Sequence, residues 1–166
     1  MKSGTRVIDR GWKRIQKEMK EIHGSYVKIG VISGGGEKRY KKHKDVSGKK
    51  EGSNVDIARL AAIHEYGLPS KRIPSRPFIK QSFDKNKRKI KSKTESLLKN
   101  IYQGSKTTKG ALDTLGLFHQ GNTRKIFTEG SFRANKPSTV KEKGSSRPLI
   151  DTGRLRQSID YEVVIK

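Results

Sequence analysis

Three prolines in nine residues, Pro69, Pro74 and Pro77, separate two stretches of helical periodicity, so any fold of this chain must turn there. From Val55 onward, Ile57, Leu60, Ala61 and His64 recur on one helical stripe. Gly67 is placed to end that helix, because glycine enters the left-handed C-terminal cap cheaply. Each proline keeps its predecessor out of the helical region, which predicts an extended elbow, and a second helix is expected to begin near Phe78. That helix, predicted over Phe78–Gln103, carries a stripe of Ile79, Phe83, Ile90, Leu97 and Ile101, with Phe78 entering the core. The stripe is broken near its middle, where Lys85, Lys87, Arg88, Lys89, Lys91 and Lys93 crowd together. This basic part is too polar to bury, so it is a solvated face or a phosphate-facing one.

The flanking segments add a small sheet. Ile8, Trp12, Ile15, Met19 and Ile22 define one narrow apolar face on an otherwise basic helix, and packing on that face is expected to bury Trp12. Gly24 stops the helix, and Tyr26–Ile32 alternates as a strand. After the break at Ser105–Gly110, Ala111, Leu115, Phe118, Asn122 and Ile126 predict a helix to about Glu129, ended by Gly130. Residues 131–147 are poor in hydrophobic side chains and read as a loop ordered against a neighbour, with Pro137 just inside a short helical turn. Leu149–Ile150 is strand-like, and Asp151 is suited to cap a helical turn through Ser158. A closing strand over Ile159–Ile165 puts Ile159, Tyr161, Val163 and Ile165 on one face. The expected fold class is α+β: one domain over residues 1–166, with a small, mainly antiparallel sheet packed by several helices. Long basic loops interrupt it, with flexible segments at about 33–54 and 130–147.

Charge constrains what such a domain can meet. The formal net charge is +23, with 33% of residues charged and only 30% hydrophobic, so the core is small and a polyanionic or acidic neighbour is favoured. A basic loop of Lys38, Arg39, Lys41, Lys42, Lys44, Lys49 and Lys50, with Tyr40 among them, is the candidate face for DNA phosphates or an acidic partner; a solvated charge run is the alternative. Ser33-Gly34-Gly35-Gly36 superficially resembles a phosphate loop, but no Gly-Lys-Ser/Thr follows at the required spacing. No apolar run exceeds about four residues, so neither a membrane span nor a signal peptide is expected.

Enzymatic constellations are sparse. There is no cysteine, which excludes thiolate metal sites and a cysteine nucleophile. His64-Glu65 lacks the second histidine of a zinc-protease helix, and His23, His43 and His119 lie far apart in the sequence. Acidic residues show no grouping of the kind a two-metal nuclease needs, and Asp56 and Glu65 fall on different helical faces. Zinc fingers, helix-turn-helix patterns and ribonucleoprotein motifs are missing too. No catalytic, cofactor-binding or metal-binding residue is therefore assigned, and the expectation is a protein that is not an enzyme.

Two blocks together resemble a known family. Ala61-Ala62-Ile63-His64-Glu65-Tyr66-Gly67 is followed by Ile73-Pro74-Ser75-Arg76-Pro77-Phe78. After a basic helical middle come Pro137-Ser138-Thr139 and Pro148-Leu149-Ile150-Asp151-Thr152-Gly153-Arg154-Leu155-Arg156-Gln157-Ser158-Ile159. In this order the blocks resemble the virion morphogenesis and tail-completion proteins, the neck and minor tail proteins of long-tailed bacteriophages. The Trp-Pro-rich segment usual in that family before the Pro-Ser-Thr element is replaced here by Phe132-Arg133-Ala134-Asn135-Lys136. The resemblance implies a structural virion protein of the neck, made in the host cytoplasm, that completes the tail and joins it to the head. It implies a homo-oligomeric ring, a hexamer or dodecamer, around the DNA channel. Its partners would be other neck, connector, tail-tube or tail-terminator proteins and the genomic DNA, with no membrane. The motif positions His64, Glu65, Tyr66, Gly67, Pro74, Arg76, Pro77, Phe78, Asp151, Thr152, Gly153, Leu155 and Ser158 would then serve structure. The alternative is a free, non-sequence-specific nucleic-acid-binding protein acting by phosphate neutralisation.

Overall fold

Two long helices with apolar stripes facing each other set the frame. In the computed structural model, which describes residues 11–32, 57–150 and 153–166, α3 (Phe78–Tyr102) and α4 (Thr108–Glu129) form an antiparallel hairpin. The connection between them turns at Gly104, which adopts a left-handed φ of 69°. Packed on this hairpin are α1 (Trp12–Ile22), β1 (Tyr26–Gly30), α2 (Ile57–Tyr66), α6 (Arg154–Gln157) and β2 (Asp160–Val164), while α5 (Pro137–Lys143) lies in the connection between α4 and α6. The fold is α+β, with β1 and β2 paired antiparallel.

Strand register follows from side-chain alternation. Val27 lies opposite Val163 and Ile29 opposite Tyr161. These four are partly buried toward the helices, whereas Lys28 faces Glu162 on the solvent side with an ion pair of 3.1 Å. That pairing raises the Lys28 pKa through a hydrogen bond to Glu162 and its charge. The sheet lies close against α4 because residue 116 is glycine: a Cβ there would sit 2.2 Å from Tyr161 Cδ2. Gly116 is thus a mid-helix glycine kept for close approach rather than for a turn.

Two core clusters stand at opposite ends of the hairpin. One gathers Ala61, Phe78, Ile126, Phe127, Leu149, Leu155 and Ile159, with the Phe78 and Phe127 rings 4.9 Å apart. The other gathers Leu97, Ile101 and Ala111, against which Met19 and Ile22 of α1 and Leu115 pack. Between them, under the sheet, lies an apolar hollow of about 550 Å³.

Several expectations need correction. Trp12 is 62% exposed: Met19 and Ile22 make the α1 contact with the second cluster, and the stripe reaches its partner only at that end. Leu149–Ile150 forms no strand; Leu149 takes a left-handed φ of 62° in a turn that drives its side chain into the first cluster. The helical turn through Ser158 begins at Arg154 with Gly153 as N-cap, and Asp151 lies outside the described residues. In segment 131–147, by contrast, the helical turn expected at Pro137 is present as α5, and at the start of the segment Gln81 and Ser131 exchange hydrogen bonds of 2.9 and 3.1 Å. Phe83, expected on the buried stripe, is half exposed and stacks on His119 at 6.3 Å.

Gly116→Ala tests the close approach of sheet and helix. Alanine in a helix interior ordinarily gains about 1 kcal/mol over glycine. Here the expected outcome is a loss of about 1–3 kcal/mol in urea denaturation, from overpacking against Tyr161.

Candidate functional site

The residues His64–Phe78 of the first sequence block form the elbow between α2 and α3. Gly67 ends α2 with φ 81°, and a Cβ there would lie 2.9 Å from the Ser75 nitrogen, so only glycine lets the chain double back. Leu68 and Ile73 form an antiparallel bridge around a short 3-10 turn at Pro69–Lys71, and Arg72 accepts a left-handed φ of 53°. The returning chain bonds back to α2, with the Arg76 amide donating to the His64 carbonyl at 2.6 Å. Phe78 is then fully buried.

Glu65 reaches across the elbow. Its two carboxylate oxygens accept hydrogen bonds from the Ile79 and Lys80 amides at 3.0 and 2.9 Å. Pro77 at the N-cap provides no side-chain cap and the first turn of α3 has no acidic residue, so Glu65 supplies both the acceptor and the negative charge that the helix start favours. The same device recurs at the other end of the hairpin. Buried Glu18 of α1 accepts from the Thr108 amide at the start of α4, while Thr108 Oγ1 donates to the Glu18 carbonyl at 2.9 Å.

Arg76 is the buried cation of the site, 7% exposed. Its Nε donates to the Arg133 carbonyl at 3.0 Å, and Nη2 donates to the Ala134 carbonyl at 3.3 Å and to Asn135 Oδ1 at 3.1 Å. Burial, and after it the positive charge of Arg133, lower the Arg76 pKa from its ordinary value. Among the described residues no carboxylate takes part in this fan of acceptors; amide carbonyl dipoles hold the guanidinium, and it in turn fixes residues 133–135 against the elbow.

The late block meets the early one. Leu155 and Ile159 pack in the cluster that holds Phe78 and Ala61, and Ser158 Oγ donates to the Leu155 carbonyl at 2.8 Å. From α4, Arg124 Nη2 donates to the Gln157 and Ile159 carbonyls, and Gln120 Nε2 to the Ile159 carbonyl and Asp160 Oδ1. Together these close the end of α6 and the entry to β2. His64 and Pro74 are half-buried, and Tyr66 is 81% exposed beside them. Thr152, like Asp151, and the basic loop Lys38, Arg39, Lys41, Lys42, Lys44, Lys49 and Lys50 lie outside the described residues.

Glu18, the capping role of Glu65, the anchoring role of Arg76 and the packing role of Gly116 are not read from sequence. Capping partners 14 and 90 residues away in sequence leave no local signal, although an unaccompanied Pro-Phe helix start with no acid in its first turn hints at a missing acceptor. Among the described residues, no group of three His, Asp or Glu side chains is placed to hold a metal ion. The hollow under the sheet is lined mainly by apolar side chains, with His119 as its one imidazole, set between Phe83 and an edge-on Phe118. Burial lowers the His119 pKa from the ordinary histidine value.

Glu65→Ala is expected to destabilise the fold by about 1–2 kcal/mol through loss of the α3 cap, measured by urea denaturation. Arg76→Lys keeps the charge but not the fan of donors; a loss of about 1–3 kcal/mol and faster proteolysis within 131–147 are expected. Because folding disfavours the His119 imidazolium, the unfolded chain takes up that proton first on acidification. Stability should therefore fall as pH drops through the ordinary histidine value of about 6.5, and His119→Phe should remove that share of the pH dependence. Comparison with protein-family models, with curated proteins and with solved structures finds no match to this chain.

Proposed function

We propose that this chain is a structural subunit of a bacteriophage neck, completing the tail and joining it to the head as one copy in a homo-oligomeric ring around the DNA channel. The observation that carries this is the ordered resemblance of the Ala61–Phe78 and Pro148–Ile159 blocks to tail-completion proteins. Support comes from where those blocks lie: Phe78 of the first and Leu155 and Ile159 of the second share one core, as expected of blocks that serve a scaffold. On this proposal the work is binding and geometry. Each strand of the sheet has a single partner among the described residues, leaving outer edges that a neighbouring copy can pair or cover. A ring closes when identical head-to-tail contacts return on themselves.

Light scattering of the purified chain, alone and mixed with neck and tail proteins of the same particle, tests the proposal. The expected mass is a fixed multiple of 18.7 kDa, and imaging of intact particles should locate the chain at the neck. A strict monomer that joins no particle component defeats it. If that monomer binds duplex DNA instead, the free nucleic-acid-binding alternative takes its place.

A further inference from the structure

The middle of α3 is organised against its own stability. Between residues 85 and 93 every charged side chain is basic: Lys85, Lys87, Arg88, Lys89, Lys91 and Lys93. Lys85 and Lys89, Lys87 and Lys91, and Lys89 and Lys93 stand at i,i+4, where like charges oppose helix formation and a lysine–glutamate alternation would favour it. Lys85 donates only to the Glu129 carbonyl, and Lys91 has Glu95 at 4.0 Å with both side chains largely exposed. The side chains of Lys87, Arg88, Lys89 and Lys93 make no hydrogen bond or ion pair with the described residues.

Helical geometry sorts these cations into two rows. At about 100° per residue, Lys87 and Lys91 fall on one flank, Lys85 and Lys89 on the other, and Arg88 on the crest opposite half-buried Ile90. All five cations are exposed, and no described element covers the crest. They occupy roughly 10 Å of helix length. A flat acidic protein surface meets only one such flank. Anions on two facing walls about 12 Å apart meet both, and that is the spacing of the phosphate rows across a major groove wide enough to admit a helix.

From this arrangement we infer that the exposed face of α3 centred on Arg88 is a sequence-independent binding surface for duplex DNA, with Lys85, Lys87, Lys89 and Lys91 contacting phosphates on either side of the groove. The inference goes beyond the neck proposal and stands on the charges of one helix. It also assigns DNA contact to residues other than those of the Lys38–Lys50 segment.

Fluorescence anisotropy with a blunt duplex of about 30 base pairs, over a range of salt, tests it. For the four lysine–phosphate contacts log affinity should fall by about 3–4 per decade of salt. The variant K85Q/K87Q/R88Q/K89Q/K91Q, with circular dichroism confirming its helix content, should bind more than about 100-fold more weakly near 0.1 M salt, with a slope shallower by about 4. The milder K87Q/K91Q should lose about 10-fold and flatten the slope by about 2. A control, K13Q/K17Q/K71Q/K99Q/K109Q, removes the same charge from exposed positions elsewhere and should remain within about 3-fold of the unmodified chain. Equal loss in control and helix variants would overturn the inference, since net charge alone would then explain binding. So would absence of duplex binding, or poly-glutamate competing as well per charge as DNA, the signature of an acidic protein partner. Mass measurement on the same samples separates the two proposals: a multi-copy assembly indifferent to the α3 substitutions keeps the ring and loses this surface, and a duplex-binding monomer does the reverse.

Discussion

Two borrowed carboxylates hold the architecture together. Neither α3 nor α4 has an acidic residue in its first turn, yet each begins where backbone amides need acceptors and negative charge is favoured. Glu65 from α2 serves the first and Glu18 from α1 the second. In a chain with 39 basic and 16 acidic residues carboxylates are scarce, and these two are spent on helix starts, Glu18 buried and Glu65 half-buried. Each capping contact also fixes a helix in place. Glu18 seats α1 across the loop end of the hairpin, and the left-handed turn at Gly24 then delivers β1 onto α4. Glu65 seats α2 at the opposite end, beside the elbow.

The elbow explains why a chain with so little hydrophobic content still closes a core at that end. Arg76 gathers three acceptors from residues 133–135, drawing in a segment with almost no apolar side chains of its own. Its buried charge is met by carbonyl dipoles, which cannot be titrated away as a carboxylate can, so the anchor is insensitive to acid. Around it, Phe78, Phe127, Leu155 and Ile159 supply dispersion and burial, and Arg124 with Gln120 satisfies the carbonyls where α6 passes into β2. Positive side chains are therefore divided by role. Arg76 and Arg124 are internal fasteners, while the lysines of α3 remain on the outside.

Much of this layout is legible in the amino-acid order because the signals are local. The Gly67 stop, the start at Phe78, the end at Gly130 and the alternation of Tyr161 and Val163 all appear where periodicity and turn chemistry place them. What is not legible depends on distant partners. Trp12 carries the right spacing for burial, but helical phase says nothing about how far a neighbouring surface extends. Leu149 reads as strand because its neighbours are apolar, and tertiary burial instead holds it at positive φ. Glu65 reads as one more charge in a motif; its task appears only once Ile79 and Lys80 are brought beside it. Gly116 interrupts a helix pattern with no turn to explain it until Tyr161 is seen against it.

The pairing of Tyr26 with Val164 has a consequence for how the molecule is made. The hairpin of α3 and α4 can zip from its own turn, but β1 waits for a partner that the ribosome delivers on the order of ten seconds later. Throughout that interval the amides and carbonyls of β1 are without their eventual mates, and the greasy underside of the strand faces an unfinished wall. Nascent chains on one message carry the same half-built sheet side by side. Whatever shields β1 during translation therefore governs the yield of correctly closed molecules as much as any contact in the finished fold.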